Sequence, residues 1–478
     1  MAVPKARDVK LTTDREKVIL VGGYRPGDLL PGEEPLEELE RLAETAGAQV
    51  VGRVVQKIKD ITPATYIGKG KVQEVRELAE ALGAKCILFD HDLLPSQGKN
   101  LDVQTGLKVM DRTELILDIF ASRARSRMAV VQVGIALLEY RLPRLKRLWT
   151  HLERQTGGIG MRGGPGERQM EVDRRKIEKH IDDLKHELKQ IEGRKERMVR
   201  SRGRDNYLVS LVGYTNAGKS TLMRSLTGED VLVEDKLFAT LDTKTSVLKL
   251  GGGINVLLSD TVGFIRRLPH NLVASFHATL EEARHADLLL HVADASSPFV
   301  RGQIEAVNSV LKEIEADQQE TVMVLNKVYA VGKHSGTNGG NGSTRHEPLT
   351  VARPGKGSLS LGSGSGNGAD PGAGTWEVDY RMLLEEFPEA IPISALRKEG
   401  LERLKSEIRE RAREDAKPMT LSVHAGDGKT MAFLATHFFE DSRETDGDKI
   451  ILHGRCTRGV LEKILTSDTR VRILKGWP

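Results

Sequence analysis

A short apolar segment that runs into a glycine-containing loop constrains this chain more than any other feature. The segment YLVSL, at residues 207–211, precedes GYTNAGKS, at residues 213–220, which fits the pattern Gly-x-x-x-x-Gly-Lys-Ser. A strand followed by this pattern and then by a helix forms a phosphate-binding loop. The two glycines let the backbone wrap around phosphate oxygens, and the amides at the helix N-terminus attract anions. The motif therefore predicts an α/β domain that binds a nucleotide through its phosphates.

Individual residues of this loop have separate expected tasks. Gly213 and Gly218 give the loop its shape, and Lys219 reaches the β- and γ-phosphates, where it stabilises the charge that develops during phosphoryl transfer. The hydroxyl of Ser220 is the expected Mg²⁺ ligand. Lys219 is thus a candidate catalytic residue and Ser220 a candidate metal ligand.

Two further stretches supply the parts that such a loop needs. NVLLSDTVGFI, at residues 255–265, reads as a strand that ends in Asp260, which would hold Mg²⁺ through water, and the amide of Gly263 would contact the γ-phosphate. Between the two motifs, KLFATLDTKT contains Thr240, a candidate hydroxyl ligand for both Mg²⁺ and the γ-phosphate. Phe264 follows Gly263, where many GTPases carry a water-orienting glutamine. Phenylalanine cannot polarise water, so unaided hydrolysis should be slow, although Phe264 can also simply pack.

The base-recognition loop is incomplete. Asn326 and Lys327 follow the apolar run 321–325, as in a loop that reads guanine, but the fourth residue is Tyr329 where an aspartate is needed. A carboxylate accepts hydrogen bonds from guanine N1–H and N2–H, whereas a tyrosine accepts one at best and carries no charge at pH 7. The loss is expected to cost about 2–4 kcal/mol of binding free energy. PISAL, at residues 392–396, would bring the backbone of Ser394 and Ala395 near the base.

Alternating patterns along the chain predict an α/β multidomain protein. Strand and helix signals alternate up to about residue 110, which indicates a three-layer domain with parallel strands. The predicted division is an N-terminal α/β domain (1–110), a basic helical subdomain with a glycine-rich loop and a coiled coil (111–203), a Ras-like P-loop G domain (204–417) and a small C-terminal α/β domain (418–478). The G domain is interrupted at about 330–375 by a glycine-rich insertion that is too poor in apolar residues to form a core, so it is predicted to be disordered. The C-terminal segment reads as β-α-β-α-β.

The second segment is the candidate RNA-binding part. Residues 123–147 are rich in arginine and lysine and contain a single acidic residue, Glu139. A loop with Arg162 among glycines, TGGIGMRGGPGE, follows at residues 156–167 and suits contact with a phosphate backbone. A solvated helix face explains the basic residues equally well. The apolar residues after the loop have heptad-like spacing, which predicts a helical hairpin or short coiled coil; they are Met170, Ile177, Ile181, Leu184, Leu188 and Ile191.

Composition narrows the class further. A net charge of +4 over 478 residues means that nucleic-acid binding must come from local clusters of charge. Cys86 and Cys456 match no metal-binding spacing, and His277, His285 and His291 have spacings that favour structural roles over a metal site. No apolar run is long enough for a membrane span and the first residues lack a signal-peptide core, so a cytoplasmic location is expected, with peripheral membrane association left open.

Taken together, these motifs resemble the HflX family of ribosome-associated GTPases, within the Obg-HflX-like P-loop GTPases. The resemblance covers nearly the whole chain and rests on the stretches DRTELILDIFASRA, YRLPRL, GYTNAGKSTL, LFATLD, DTVGFIRRLP, ATLEEARHADLLLHVADAS, LNK and ISAL. It implies GTP binding and Mg²⁺-dependent hydrolysis. It also implies association with the large (50S) ribosomal subunit and its RNA, through the N-terminal basic helices and the glycine loop. Roles in protein synthesis, ribosome splitting or rescue, or ribosome biogenesis follow from it, and a monomer is expected.

The resemblance also assigns site residues by position. Thr240 and Gly263 would act with Lys219 in catalysis, and Ser220 and Thr240 would be the metal ligands. Thr243 stands where the family usually has proline, which predicts a looser first switch. The other residues expected to contact GTP or GDP are Tyr214, Thr215, Asn216 and Ala217; Phe238, Ala239, Leu241 and Asp242 in the first switch; Thr261 and Val262 in the second; and Val328, Tyr329 and Leu396 near the base.

Two other functions remain possible on the sequence. The chain could be an RNA- or ribosome-binding protein whose G domain is a weak or unselective GTP/ATP sensor, which the substitution at Tyr329 favours and the complete phosphate and Mg²⁺ motifs oppose. It could also be a P-loop kinase for a small molecule, which the Asn-Lys and Ser-Ala-Leu loops make less attractive.

Overall fold

The computed structural model describes residues 16–29, 34–144, 165–228, 237–238, 243–251, 254–266, 281–331, 373–456 and 471–476. Several sequence predictions fall wholly or largely outside these ranges. They are the glycine-rich loop around Arg162, the first-switch residues Ala239, Thr240, Leu241 and Asp242, the insertion at 330–375, His277, and the second helix predicted near the C-terminus.

A four-stranded parallel sheet forms the first layered unit, in the order β2-β1-β3-β4. Residues of β1 alternate between two cores: Val18 and Leu20 lie on one face, and Ile19 and Val21 lie on the other. Helices therefore cover both faces, as the alternating strand and helix signals predict. The elements are β1 (Lys17–Tyr24), α1 (Glu37–Thr45), β2 (Gln49–Lys57), α2 (Lys69–Leu82), β3 (Cys86–Phe89), α3 (Pro95–Thr105) and β4 (Lys108–Asp111).

The middle of the chain is helical, as expected. It comprises α4 (Arg112–Arg123), α5 (Arg127–Arg141) and α6 (Pro165–Asp205). The side chain of Asp111 caps α4 by accepting a hydrogen bond from the amide of Glu114, and α4 packs its apolar face on the first sheet. Apolar residues of the heptad-like series in α6 pack against α5, which forms the predicted helical pair; the cluster contains Val131, Ile135, Leu138, Leu184, Leu188 and Ile191.

A six-stranded sheet forms the G domain, in the order β10-β9-β8-β5-β7-β6. All neighbouring strands are parallel except β6, which pairs antiparallel with β7. The carboxyl ends of the parallel strands meet at one edge, which is where α/β sheets bind ligands. The elements are β5 (Tyr207–Gly213), α7 (Lys219–Thr227), β6 (Lys244–Gly251), β7 (Ile254–Asp260), β8 (Leu288–Asp294), α8 (Val300–Glu313), β9 (Thr321–Asn326), α9 (Ala373–Glu386), β10 (Ile391–Pro392) and α10 (Leu401–Asp415).

The C-terminal unit contains an antiparallel sheet, in the order β12-β13-β11-β14. The β-α-β-α-β prediction misses one strand, because β12 and β13 form a hairpin. The turn between them contains Gly447, which has a φ of 60° that favours glycine. The elements are β11 (Lys417–His424), α11 (Gly428–His437), β12 (Phe439–Asp446), β13 (Lys449–Cys456) and β14 (Val471–Lys475).

Within the described ranges, no helix has the length and apolar character needed to cross a membrane.

Candidate nucleotide-binding site

The phosphate loop joins β5 to α7 in a conformation that its glycines make possible. Gly213 has a φ of 150°, and a Cβ there would lie 2.2 Å from the carbonyl oxygen of Val292. Gly218 has a φ of 94°, and a Cβ there would lie 2.3 Å from Nδ2 of Asn326. Neither position can hold a side chain without moving the backbone or the base loop. The sequence motif therefore reflects two close approaches as well as a need for positive φ.

Lys219 begins α7 with its ammonium group inside the loop. Its Nζ donates to the carbonyl oxygens of Gly213 and Tyr214, both at 2.9 Å. Burial lowers the pKa of Lys219 to about 8, and the nearby carboxylate of Asp260 opposes this shift. A buried cation of this kind is more stable when an anion lies beside it, and a triphosphate would supply that charge.

Ser220 and Asp260 meet at the end of β7. The hydroxyl of Ser220 donates to Oδ2 of Asp260 at 2.6 Å, and the Asp260 side chain is fully buried. A hydroxyl oxygen next to a carboxylate oxygen provides the oxygen ligands that Mg²⁺ prefers. The residues present therefore fit the metal that the sequence predicts. Among the described residues, no group of three or more His, Cys, Asp or Glu side chains forms a separate metal site.

The second-switch segment lies against the phosphate loop. A Cβ at Gly263 would lie 2.8 Å from Cα of Thr215 and 3.1 Å from Nζ of Lys219, so no side chain fits there. Phe264 donates its amide to the Gly213 carbonyl at 3.2 Å and accepts from the Thr215 amide at 2.7 Å. Its side chain is buried in an apolar cluster, which supports the packing interpretation of this residue. Thr261 donates to the carbonyl of Leu211, and Val262 is buried in the same cluster as Phe264.

One residue of the predicted first switch is described. Phe238 is buried with a φ of 55°, and its ring meets the ring of Phe120 edge-on at 4.7 Å between centroids. The contact joins this segment to α4. The remaining first-switch residues, including Thr240, lie outside the described ranges, so their expected roles stay predictions.

The side chain of Asn326 contacts both the phosphate loop and the last loop. Its Nδ2 donates to the carbonyl of Ala217 at 2.8 Å, and its Oδ1 accepts from the amide of Ala395 at 3.0 Å. Asn326 thus ties the phosphate loop to the last loop. Lys327 has a φ of 63° and forms an ion pair with Asp294 at 2.8 Å.

Tyr329 lies in a short 3₁₀ turn (Val328–Ala330) next to the last loop. The guanidinium of Arg397 lies 4.9 Å from the centroid of the Tyr329 ring. Ser394 accepts a hydrogen bond from the Arg397 amide at 3.0 Å, and the side chain of Leu396 is exposed. Asp294 and Arg397 are not predicted by any of the sequence motifs. Asp294 could have been noted, because it ends an apolar strand at the same sheet edge; the approach of Arg397 to Tyr329 has no local sequence signal.

The first sheet unit also contacts this site, a contact that no sequence motif predicts. The phenol of Tyr214, in the phosphate loop, donates to Glu38 of α1 and accepts from the amide of Arg266 at 2.8 Å. Arg112 of α4 pairs with Glu38 and with Asp90, the latter at 2.8 Å, and donates to the Arg266 carbonyl at 3.2 Å. Burial and the nearby Glu38 raise the pKa of Tyr214, so the phenol stays protonated and remains a donor. One buried cluster of charges therefore touches both the phosphate loop and the residues after Gly263.

The helical region touches the switches at a second place. Nζ of Lys195, in α6, donates to the hydroxyl of Thr243 at 3.0 Å and lies 3.4 Å from Glu282. Thr243 in turn donates to Glu282 at 2.9 Å. Basic residues of α5 and the turn after it differ in their exposure: Arg127 pairs with Glu187 at the surface, whereas Arg144 lies largely buried against Asp111 and over the Tyr140 ring.

Fold and site together define a P-loop nucleotide-binding protein, and comparison with known proteins makes the assignment more specific. Three family models match successive parts of the chain. They are described as GTP-binding GTPase N-terminal (residues 33–121), GTP-binding GTPase Middle Region (123–202) and 50S ribosome-binding GTPase (208–327).

Two named relatives are similar to about two thirds of the chain. The GTPase HflX of Caldanaerobacter subterraneus subsp. tengcongensis is 48% identical over 322 residues, which cover 67% of this chain and 74% of that protein. The GTPase HflX of Escherichia coli (strain K12) is 46% identical over 314 residues, covering 66% and 73%. A solved structure titled as an SsGBP and GDP complex covers 84% of this chain and 99% of its own at 24% identity, with a TM-score of 0.44. The chain belongs to the HflX family of GTPases.

Proposed function

We propose that this protein binds and hydrolyses GTP with Mg²⁺ and associates with the large (50S) ribosomal subunit, in protein synthesis, ribosome splitting or rescue, or ribosome biogenesis. The observation that carries the proposal is the convergence of three parts at one sheet edge: Lys219 inside the phosphate loop, Ser220 against Asp260, and Asn326 tying the base loops to the phosphate loop. A G domain with these parts intact has what phosphoryl transfer requires.

In this mechanism the protein acts mainly by positioning and by electrostatic stabilisation. Lys219 and the loop amides would hold the β- and γ-phosphates and stabilise charge on the transferring group. The Gly263 amide would contact the γ-phosphate, since its lack of a side chain lets that segment lie against Thr215 and Lys219. The side chain of Phe264 is packed, so the attacking water needs Thr240, backbone groups or a docked partner for its orientation. The protein alone would therefore hydrolyse GTP slowly, and a partner that orients the water would raise the rate.

Ser220 and Thr240 would hold Mg²⁺, with Asp260 behind its water ligands. The ion would neutralise phosphate charge and orient the phosphate oxygens. The direct hydrogen bond between Ser220 and Asp260 supports this assignment, because it places the proposed ligand beside the carboxylate that would anchor its water.

The relatives weigh against the alternative functions. The relatives that match about two thirds of the chain carry the name GTPase, and the G-domain model is described as a 50S ribosome-binding GTPase. An RNA-binding protein with a weak or unselective GTP/ATP sensor, or a small-molecule kinase, finds no support there. Tyr329 replaces the aspartate that reads guanine, so the base would be recognised by other groups.

Binding to ribosomal RNA is proposed for the basic helices and the glycine loop around Arg162. Arg141, exposed at the end of α5, supports this role. Arg127 is exposed but paired with Glu187, and Arg144 is held by Asp111 and the Tyr140 ring and is assigned to the fold. A monomer in the cytoplasm, with peripheral membrane contact as a further possibility, belongs to the same proposal.

The division at residues 110, 203 and 417 is also proposed. The three sheets fall essentially within the first, third and fourth segments. Helix α4, at the start of the second segment, packs on the first sheet, so the first core extends across that boundary.

Equilibrium binding of fluorescent GTP with and without Mg²⁺ tests the site. Lys219→Ala should weaken binding by about 100-fold, because it removes a charge-assisted contact to the phosphates. Exposed Lys69 serves as the matched control, and Lys69→Ala should leave the affinity unchanged. Equal affinity of wild type and Lys219→Ala would contradict the assignment.

A further inference from the structure

The side chains of Asn326 and Lys327, which would contact the base in a guanine-binding loop, already interact with other groups of the protein. The side chain of Asn326 uses one donor on Ala217 and its carbonyl on Ala395. Lys327 is paired with Asp294. Residues 326–331 contain no carboxylate. The contact that normally distinguishes guanine at N1–H and N2–H must therefore come from a different kind of group, or be absent.

Tyr329 is the residue that replaces the aspartate of this loop, and it lies beside Arg397. The Tyr329 side chain is half-buried, Arg397 is exposed, and the guanidinium faces the phenol ring at 4.9 Å from its centroid. A cation in this position is attracted by the ring, and an arginine so held loses less freedom when it binds a ligand. Among the described residues, no carboxylate forms an ion pair with Arg397. Its N–H groups are exposed and are therefore available to a ligand.

Tyr329 and Arg397 differ in which purine bases their hydrogen-bonding groups can discriminate. A phenol both donates and accepts, so Tyr329 can satisfy N1–H of guanine or N1 of adenine. A guanidinium only donates, so Arg397 favours the O6 and N7 acceptors of guanine and disfavours the amino group that adenine carries at position 6. Neither side chain rejects an oxygen at position 2, because neither carries negative charge.

We propose that Tyr329 and Arg397 form a base reader that recognises a 6-oxopurine and ignores the substituent at position 2. The substrate class at this site is then the 6-oxopurine nucleoside triphosphates, with GTP, ITP and XTP bound alike and ATP bound more weakly. This inference rests on the proposed nucleotide site. It assigns the specificity of that site to the substituent at position 6 of the purine.

Competition binding of GTP, ITP, XTP and ATP to the full chain tests the reader. Wild type should bind GTP, ITP and XTP within about threefold of one another and ATP about tenfold more weakly, the size of one unsatisfied hydrogen bond. Arg397→Ala should bring ATP to within about threefold of GTP. Tyr329→Asp should instead favour GTP over XTP by at least about tenfold, because a carboxylate accepts from N1–H and N2–H and repels the 2-oxo group.

Two controls keep the result interpretable. Arg403→Ala removes an exposed arginine from α10, outside residues 326–331 and 392–397, and should leave all four affinities unchanged. Lys219→Ala reports on the nucleotide site itself. If Lys219→Ala bound the nucleotides with the same affinity as wild type, the proposed function would be contradicted. Binding that depends on Lys219 but prefers GTP to XTP by tenfold or more in wild type would overturn only the 6-oxopurine reader, as would unchanged GTP/ATP selectivity in Arg397→Ala.

Discussion

At the scale of single residues, Phe264 shows how the site differs from a GTPase with a catalytic glutamine. Its backbone pairs with both Gly213 and Thr215, and its ring is buried in the apolar cluster that joins the first sheet unit to the G domain. The backbone therefore fixes the second switch on the phosphate loop, and the side chain contributes to packing. A polar residue here would have to leave the core before it could reach a water molecule.

Substituting this residue should consequently harm folding rather than help catalysis. Phe264→Gln should lower the free energy of unfolding by about 2–4 kcal/mol, because it replaces a buried ring with an amide that lacks partners. Intrinsic hydrolysis of GTP should not rise. Urea unfolding and single-turnover hydrolysis measure the two effects, with Phe264→Leu as the control that keeps the site apolar and costs about 1 kcal/mol. A faster variant of unchanged stability would show that position 264 is free to take part in chemistry.

At the scale of elements, local patterns in the sequence account for most of the architecture. The alternating cores of β1, the phosphate loop between β5 and α7, and the apolar series in α6 are all visible because each depends on residues close in sequence. The sequence does not predict strand β12, because all of its residues except Phe439 are exposed. It has no apolar alternation and is defined by pairing with β13.

Contacts between elements could not be predicted from the sequence, because they join residues that are far apart along the chain. The hydrogen bond from Tyr214 to Glu38 joins residues 176 positions apart, and Arg397 reaches Tyr329 only because β9 and β10 are neighbours. Side chains that meet through tertiary packing leave no periodic signal. The residue types at the site were therefore predictable, whereas the partners that hold them were not.

The contact between α6 and the switch region makes a prediction at this scale. Lys195 is hydrogen-bonded to Thr243 and lies close to Glu282, which is 9% exposed. Thr243 occupies a position where a proline could not make this hydrogen bond. Lys195→Met should lower the free energy of unfolding by about 1–3 kcal/mol, since it leaves the Glu282 carboxylate without its cation.

A double-mutant cycle with Glu282→Gln isolates the interaction. The double variant should be less destabilised than the sum of the two single variants, by about 1 kcal/mol or more. Arg175 and Glu171 form an exposed pair on the same helix, and the same cycle there should give less than about 0.5 kcal/mol. Additive effects at Lys195 and Glu282 would mean that α6 and the switch region are not coupled through this pair.

At the scale of the whole molecule, the regions expected to bind RNA are connected to the nucleotide site through side chains. Glu38 and Arg112, from the first unit and α4, contact the phosphate loop and the segment after Gly263. Phe120 packs on Phe238 in the first switch, and Lys195 holds Thr243 at its end. A partner that shifts α4 or α6 would move groups in direct contact with both switches, which provides a physical route from ribosome binding to hydrolysis.

Single-turnover hydrolysis of GTP, with and without purified large ribosomal subunits, tests the central claim most directly. The full chain should hydrolyse GTP slowly alone and more than about tenfold faster with the subunits, because a docked partner can orient water that Phe264 cannot. Lys219→Ala should be inactive under both conditions, and Lys69→Ala should match wild type. A rate that the subunits leave unchanged, or hydrolysis that survives Lys219→Ala, would contradict the assignment of this chain as a large-subunit-dependent GTPase.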